Sequence, residues 1–362
     1  MRGLPMKAKA IPHVSVLIDT YNHERFIERA IASVLEQDMP MDGVEILVVD
    51  DGSTDRTPEL IRRFEPRVRL LQKPNGGQAS AFNFGFAQAS GEIIAMLDGD
   101  DWWEKEKLRV VLEAFRENPE IGAIGNGLYE ADADGRRLYI NIPDRSYRLF
   151  FRSLEEGVRF RELMSYMGTS RLAMRRSVLD KILPVPEDLA IEADEYLATL
   201  AVGISGGLVL DQPLTNYRFH AGNLYQYGKF NLEKTRRKAR ALLCLTRELP
   251  KHLQALGVPL EIVSAALGPR NIEAERLRLT VDGGMPWESF RVEWEASRLA
   301  YMEFSPGYRL FHTMVLLLTL MMPPRMFYRM RSWYADRGLH RFRQMIGKPT
   351  LAGSLVERRA IR

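Results

Sequence analysis

Apolar and polar positions follow two alternating rhythms over roughly the first third of the chain. Val14-Ser-Val-Leu-Ile18 is a short apolar run, and Phe26, Ile27, Ala30, Ile31, Val34 and Leu35 then recur at helical spacing. Strand followed by helix is the expectation. Val44 to Val49 gives a second strand, and Thr57 as N-cap with Pro58 at the first helical position predicts a second helix. Val68 to Leu71 predicts a third strand, Ala79 to Ala89 a helix, and Ile93 to Leu97 a fourth strand that ends directly in Asp98. A helix from about Lys105 to Asn118 and a strand around Ile121 to Ile124 continue the series. Strands alternating with helices imply a mostly parallel sheet with right-handed crossovers, flanked by helices.

The rhythm then changes. Ala133-Asp-Gly-Arg136 predicts a hairpin turn, and Asn141 to Ser165 shows poor periodicity. A helix is expected to begin near Glu192, and Pro213 to Phe219 reads as a strand ending at His220. From about Lys229 onward the chain reads as helical and basic. The expected organisation is a tail at 1–11, a catalytic domain at 12–228 and a mainly helical region at 229–362.

Composition narrows the class. The chain has 362 residues, 46% of them hydrophobic and 27% charged, as in ordinary globular proteins. Cys244 is the single cysteine, so no intrachain disulfide forms, and the N-terminal segment lacks a signal peptide's apolar stretch. A cytoplasmic location is expected. The formal net charge of +4 says little about partners, and nothing points to nucleic acid. Basic residues nevertheless gather with aromatics from Arg325 to Arg343, directly after the uncharged apolar run Leu310 to Pro324. That run is short for a spanning helix. The segment 308–345 is read either as an element lying on the cytoplasmic face of an anionic membrane, or as a core helix followed by a solvated basic one.

Candidate chemistry follows from where the polar residues fall. Ligands of open parallel α/β sheets bind outside the carboxyl ends of the strands. Those ends deliver Thr20-Tyr21-Asn22, then Asp50-Asp51, then Asp98, Asp100 and Asp101. Closely packed carboxylates repel one another unless a cation or hydrogen-bond donors compensate. An oxygen-rich set suits Mg2+ or Mn2+, which commonly bridge one or two carboxylates to substrate phosphates. Gly99 permits a tight turn that holds Asp98 and Asp100 near one point. The competing reading is that such aspartates are helix caps and turn formers, and it stays open for Asp55 and Asp101. Gly76-Gly77 resembles a phosphate-cradling loop, yet neither the dinucleotide fingerprint nor the P-loop pattern is present. No His/Cys cluster suggests zinc.

The chain resembles the inverting family 2 glycosyltransferases, which have the GT-A fold. Four motifs carry the likeness: Val14-Ser-Val-Leu-Ile-Asp-Thr-Tyr-Asn22, Val48-Val-Asp-Asp-Gly-Ser-Thr-Asp55, Asn75-Gly-Gly-Gln-Ala-Ser-Ala-Phe-Asn83 and Gly91-Glu-Ile-Ile-Ala-Met-Leu-Asp-Gly-Asp-Asp101. It continues more weakly to Tyr217-Arg-Phe-His-Ala-Gly-Asn223 and leaves the C-terminal third unmatched. The resemblance implies a GT-A type, Rossmann-like α/β fold with a helical C-terminal extension. It places Thr20, Tyr21, Asp50 and Asp51 around a nucleoside, with Asn22, Gly77, Gln78, Asn83 and Gly99 completing the nucleotide-sugar set. Asp98 would serve the ribose side and the metal, Asp100 the metal, His220 the metal or diphosphate, and Arg218 the diphosphate.

Asp194 falls where the family has its catalytic base. Two departures stand out: Phe82 where many relatives carry an arginine, and Ala193 before Asp194 where an acidic pair is usual, which keeps Glu192 and Glu195 as substitutes. The Gln-x-x-Arg-Trp motif of processive synthases is missing. The implied activity is metal-dependent, inverting transfer of a single sugar from a nucleotide-diphospho-sugar, UDP-linked above others, to a saccharide or lipid-linked acceptor in glycoconjugate synthesis. A non-catalytic nucleotide-sugar-binding or scaffold protein on the same fold is the alternative.

Overall fold

The computed structural model describes residues 13–220, 231–300, 306–336 and 355–361. The expected tail at 1–11, the boundary at 228/229 and the part of 308–345 beyond residue 336 lie outside the described residues.

The first half alternates as its apolar pattern requires: β1 (Val14–Thr20), α1 (Ile27–Leu35), β2 (Val44–Asp50), α2 (Thr57–Arg62), β3 (Arg69–Gln72), α3 (Gln78–Phe86) and β4 (Ile93–Asp98). The two-residue strand β5 (Trp102–Trp103) and α4 (Lys107–Glu117) follow. Thr57 is the first helical residue and not the N-cap. Asp55 Oδ1 accepts its N–H at 3.0 Å, leaving the Thr57 hydroxyl free to accept His23 N–H at 2.9 Å. Strands β3, β2, β1 and β4 lie side by side and are parallel.

The faces of these strands show why the fold forms. Val14, Val16, Ile18, Ile46, Val48, Ile93, Ala95 and Leu97 enter one core with α1, α2 and α4. Leu17, Leu47, Val49, Ile94 and Met96 enter the other, with α3. Period-two alternation on a sheet buried on both sides gives each residue a core to join.

Beyond residue 122 the strands are mainly antiparallel. β6 (Ala123–Ala131) turns through Gly135, φ +84°, into β7 (Arg137–Pro143). The stretch that shows no periodicity in sequence contains the end of β7, β8 (Tyr147–Leu149) and α5 (Leu154–Leu163). β8 has only three residues and α5 buries just Gly157, Phe160 and Leu163, so neither period shows. β9 (Ala173–Arg175) inserts between β4 and β6, and α6 (Arg176–Leu179) leads towards α7 (Ala193–Ser205). β10 (Gly207–Arg218) starts six residues before the expected Pro213 and pairs with β5, β6 and β8.

The C-terminal helices are α8 (Leu232–Ala255), α9 (Leu260–Val281), α10 (Pro286–Ala300), α11 (Pro306–Met321) and α12 (Pro324–Asp336). Ala241, Leu242, Leu245 and Leu249 of α8 and Ile262, Ala266 and Leu267 of α9 join the core that holds α3 and α7. A last strand, β11 (Val356–Ala360), returns to the sheet antiparallel to β7, where Arg358 pairs with the buried Glu130. The C-terminal region is therefore helical with one strand added. Among the described residues no helix is long and apolar enough to cross a membrane.

Candidate active site

Parallel register sets Asp19 beside Asp98 and Thr20 beside Asp50 at the carboxyl edge of the sheet. Strand order reverses between β1 and β4, the place where such sheets open a crevice. A cleft of 680 Å³ opens there, within the range of small-molecule sites. Asp19, Thr20, Tyr21, Asp51, Gly77, Gln78, Asp98, Asp100 and Asp194 all line it. Its opposite wall comes from Phe160, Arg161, Arg237, Leu267 and Arg270 on α5, α8 and α9.

The sheet edge is an acidic cluster. Asp98 exchanges bonds with Ser170: its N–H donates to Oγ and its Oδ2 accepts the hydroxyl, both at 3.1 Å. Burial first, then the charges of Asp19, Asp100, Asp101 and Asp194, hold the Asp98 carboxyl well above the usual range. Burial followed by Asp100 pushes Asp19 up to about 8, and the same two causes push Asp101 up to about 7. Asp100 goes the other way. Burial would raise it, but His23 and His220 outweigh burial and lower it. His220 Nε2 lies 2.8 Å from Asp100 Oδ2 and His23 Nε2 lies 3.8 Å from the same oxygen.

Asp19 Oδ1 and Asp101 Oδ2 are buried with no hydrogen-bond partner. Orphaned acceptors among mutually repelling carboxylates fit a divalent cation, which would satisfy the oxygens and cancel the repulsion. Among the described residues no three histidine, cysteine or carboxylate groups are converged in ligating geometry. An ion held by one or two carboxylates together with substrate phosphates does not need three.

Asp194 sits in the first turn of α7 after Glu192, whose φ of +62° turns the chain into the helix. Its Oδ2 accepts Thr169 N–H at 2.9 Å and the Thr169 hydroxyl at 3.1 Å, while Oδ1 accepts Glu195 N–H at 2.9 Å. Gln78 fixes this arrangement from α3, donating to Thr169 Oγ1 at 3.1 Å and accepting Ala193 N–H at 3.0 Å. Glu195 is committed elsewhere, in a 2.7 Å ion pair with Arg270 of α9. Glu192 lines the cleft with Oε1 unpartnered, and burial, then Glu195, pushes its carboxyl up to about 7.

Asp51 shapes the double-glycine loop. It accepts Gly76 N–H at 2.9 Å, Gly77 N–H at 2.7 Å and the Lys73 ammonium at 2.7 Å.

Five of the expected nucleotide-sugar residues do not line the cleft. Asp50 is fully buried and accepts Ser53 N–H and Gln72 Nε2. Asn22 accepts Thr54 N–H at 2.8 Å, and Asn83 ties α3 to the backbone of Val185. Gly99 packs under Thr20 and His23. Arg218 donates to the Asp100 and Ala133 carbonyls and stacks on Trp102 and Phe26, which directs its charge behind the acidic cluster. Phe82 is buried against Phe86 in the core, so a charge at that position would face apolar side chains.

Sequence reasoning missed Asp19, His23, Thr169 and Arg171, all of which line the cleft. Asp19 and His23 carried a usable signal, a carboxylate inside an apolar strand and an imidazole three residues past its end. Thr169 and Arg171 lie in the more weakly matching part of the chain, Gly168 to Arg176, and a short 3₁₀ turn brings them to the cleft from far downstream.

A doubly wound sheet with an aspartate pair at its switch point is the architecture of the GT-A fold, and a further carboxylate, Asp194, lines the same cleft. Residues 15–183 match the model of glycosyl transferase family 2. An uncharacterized glycosyltransferase of Nostoc sp. is 29% identical over 251 residues, covering 65% of this chain and 73% of the relative. Chondroitin synthase of Pasteurella multocida is 36% identical over 128 residues, 34% of this chain and 13% of that much longer protein. The crystal structure of S. aureus TarS 1-349 in complex with UDP superposes with a TM-score of 0.51 at 19% identity, covering 90% of this chain and 91% of that one. The same TarS fragment in complex with UDP-GlcNAc gives 0.50 at 21% identity over 78% and 83%. Residues 15–183 of the chain are thus similar to the family 2 glycosyltransferases.

Proposed function

We propose that the protein transfers a single sugar from a nucleotide-diphospho-sugar to a hydroxyl of a saccharide or lipid-linked acceptor, inverting the anomeric centre in one displacement. The observation that carries this reading is that Asp194 lines the same cleft as Asp98 and Asp100, with its oxygens held by Thr169 and Glu195. The bond from acceptor oxygen to anomeric carbon forms as the bond to the nucleoside diphosphate breaks. An alcohol is a poor nucleophile near neutral pH, so a carboxylate within hydrogen-bond reach must take its proton. Asp194 has that role. Thr169 and Gln78 are positioning residues that aim its oxygens. On the donor side Tyr21, Asp51 and the Gly76-Gly77 loop form the nucleoside end, and Asp98 and Asp100 face the diphosphate.

A divalent ion, Mn2+ or Mg2+, would be held by Asp100 with Asp98 and His220, and would supply stabilisation of the charge that develops on the departing diphosphate. A uridine donor is the class to test first, since the similarly folded TarS was solved with UDP and with UDP-GlcNAc. A panel of nucleotide sugars with saccharide and lipid-linked acceptors, read by release of nucleoside diphosphate with Mn2+ present and absent, tests the proposal. Acceptor-dependent release from one donor supports it. Tight nucleotide-sugar binding without release from any donor would point to a binding protein instead.

A further inference from the structure

The corner between α11 and α12 carries apolar surface that no described element covers. Met314, Leu317, Leu320 and Met321 on α11, and Met326 and Met330 on α12, are exposed, Met314 at 64% and Met321 at 82%. Their spacing is helical, three or four residues apart, with the Pro323-Pro324 break between the two runs. These helices are not loose. Leu316 and Thr319 face inward on α11, and Phe327 and Tyr328 of α12 pack on Ile272 and Leu279 of α9. Arg325 donates to the Val281 and Asp282 carbonyls that end α9, at 3.1 and 2.9 Å. The fold thus fixes one side of each helix and presents the other, methionine- and leucine-rich side to the surroundings.

Charge selects the occupant. Residues 304–354 contain seven arginines and one lysine against a single carboxylate, Asp336. A second copy of this face would set like charges against like. Arg325 and Arg331 are engaged by the α9 carbonyls and by Glu293, and the rest of this basic segment suits a bilayer with anionic headgroups, where apolar side chains enter the acyl boundary while cations meet phosphate. Trp287 and Trp294, exposed on the neighbouring α10, are residue types that prefer the headgroup level.

We propose that the α11–α12 corner docks on the surface of an anionic phospholipid bilayer, lying in the interface without spanning it. The consequence for the substrate rests on the transfer reading of the cleft. Helix α9 lines that cleft with Ala266 to Glu273 and receives α12 at Ile272 and Leu279, the latter six residues or about 9 Å along its axis past Glu273. An acceptor whose saccharide is carried on a lipid would then reach the cleft along α9 from the membrane side.

Sedimentation of the full chain with phosphatidylcholine vesicles, with and without phosphatidylglycerol, tests the docking and needs no turnover. The expected result is pelleting with phosphatidylglycerol vesicles, reduced by salt and in pure phosphatidylcholine. A Met314→Ser/Leu317→Ser/Met321→Ser variant should bind at least roughly tenfold more weakly. These sites are solvent-facing, so its thermal unfolding and nucleotide binding should match wild type, which separates lost docking from lost folding. Wild-type protein left in the supernatant, or a variant that pellets as well as wild type, would overturn the proposal. So would a concentration-dependent dimer that the substitutions dissolve, because the face would then be covered by a second copy.

Discussion

Asp98, Gly99 and Asp100 form a tripeptide that chance supplies often, and position gives it weight. At the end of a parallel strand, with Asp19 in register on the neighbouring strand, burial and mutual repulsion raise Asp98 and Asp19 while two imidazoles lower Asp100. The account therefore expects Asp100→Ala to abolish the Mn2+-dependent part of nucleotide-sugar affinity. Calorimetry with and without Mn2+ checks it, and unchanged affinity would remove Asp100 from the ion. Gly77 is a second test. Its φ of +83° with ψ near 180° is a conformation open to glycine, and an added Cβ would meet Ala190 at 2.8 Å. Gly77→Ala should cost about 2 kcal/mol of stability and displace the loop that Asp51 organises, visible as a lower Tm and weaker nucleotide binding. At this scale the residues on strand ends were legible, because the sheet-edge rule locates them from chain position alone. Asp50, Asn22 and Asn83 share motifs with cleft residues yet point into turns and loops, since residue type alone does not determine which way a side chain faces.

Elements differ in how much of themselves the sequence exposes. β1, β2 and β4 are legible because each strand serves two cores and so reads as a nearly continuous apolar run. β8 has three residues and β9 has three, too few for any period, and their pairing depends on neighbours far along the chain. Helix α9 shows what only the structure reveals. Pro269 within it lacks the N–H that would reach the Ala265 carbonyl, and Arg161 of α5 donates to that carbonyl at 3.3 Å. Both residues line the cleft, so the helix break and its repair belong to the cleft's far wall. Further along, the buried Glu293 of α10 joins Arg276 of α9 and Arg331 of α12, at 2.7 and 2.6 Å. Burial alone would raise the Glu293 carboxyl, but the two arginines outweigh it and hold it below its usual range. A depressed carboxylate stabilises above its unfolded pKa, and the contribution disappears as pH falls through the folded value. Glu293→Gln should therefore cost roughly 2 kcal/mol near neutral pH, with a smaller difference from wild type in acid. Thermal unfolding followed across pH measures it, and equal stability at pH 7 would deny the three-helix ion pair.

For the whole molecule, the cleft is assembled from parts distant in the chain. Its donor side is the sheet edge between residues 19 and 101, while its far wall reaches residue 273 on α9. The first side matches a known family model, residues 15–183, and the second lies outside it. That division explains why the fold and the acidic centre could be read from sequence while the far wall of the cleft and the return of β11 could not. Donor chemistry is written in local motifs, whereas acceptor surfaces arise from packing between helices whose apolar faces do not announce their partners. The central claim is that Asp194, poised between the two sides, removes the acceptor proton. Single-turnover transfer by Asp194→Asn, measured beside its affinity for the nucleotide sugar, tests this most directly. The account predicts transfer reduced by at least roughly a thousandfold with donor affinity nearly unchanged. Transfer within a few fold of wild type would contradict it.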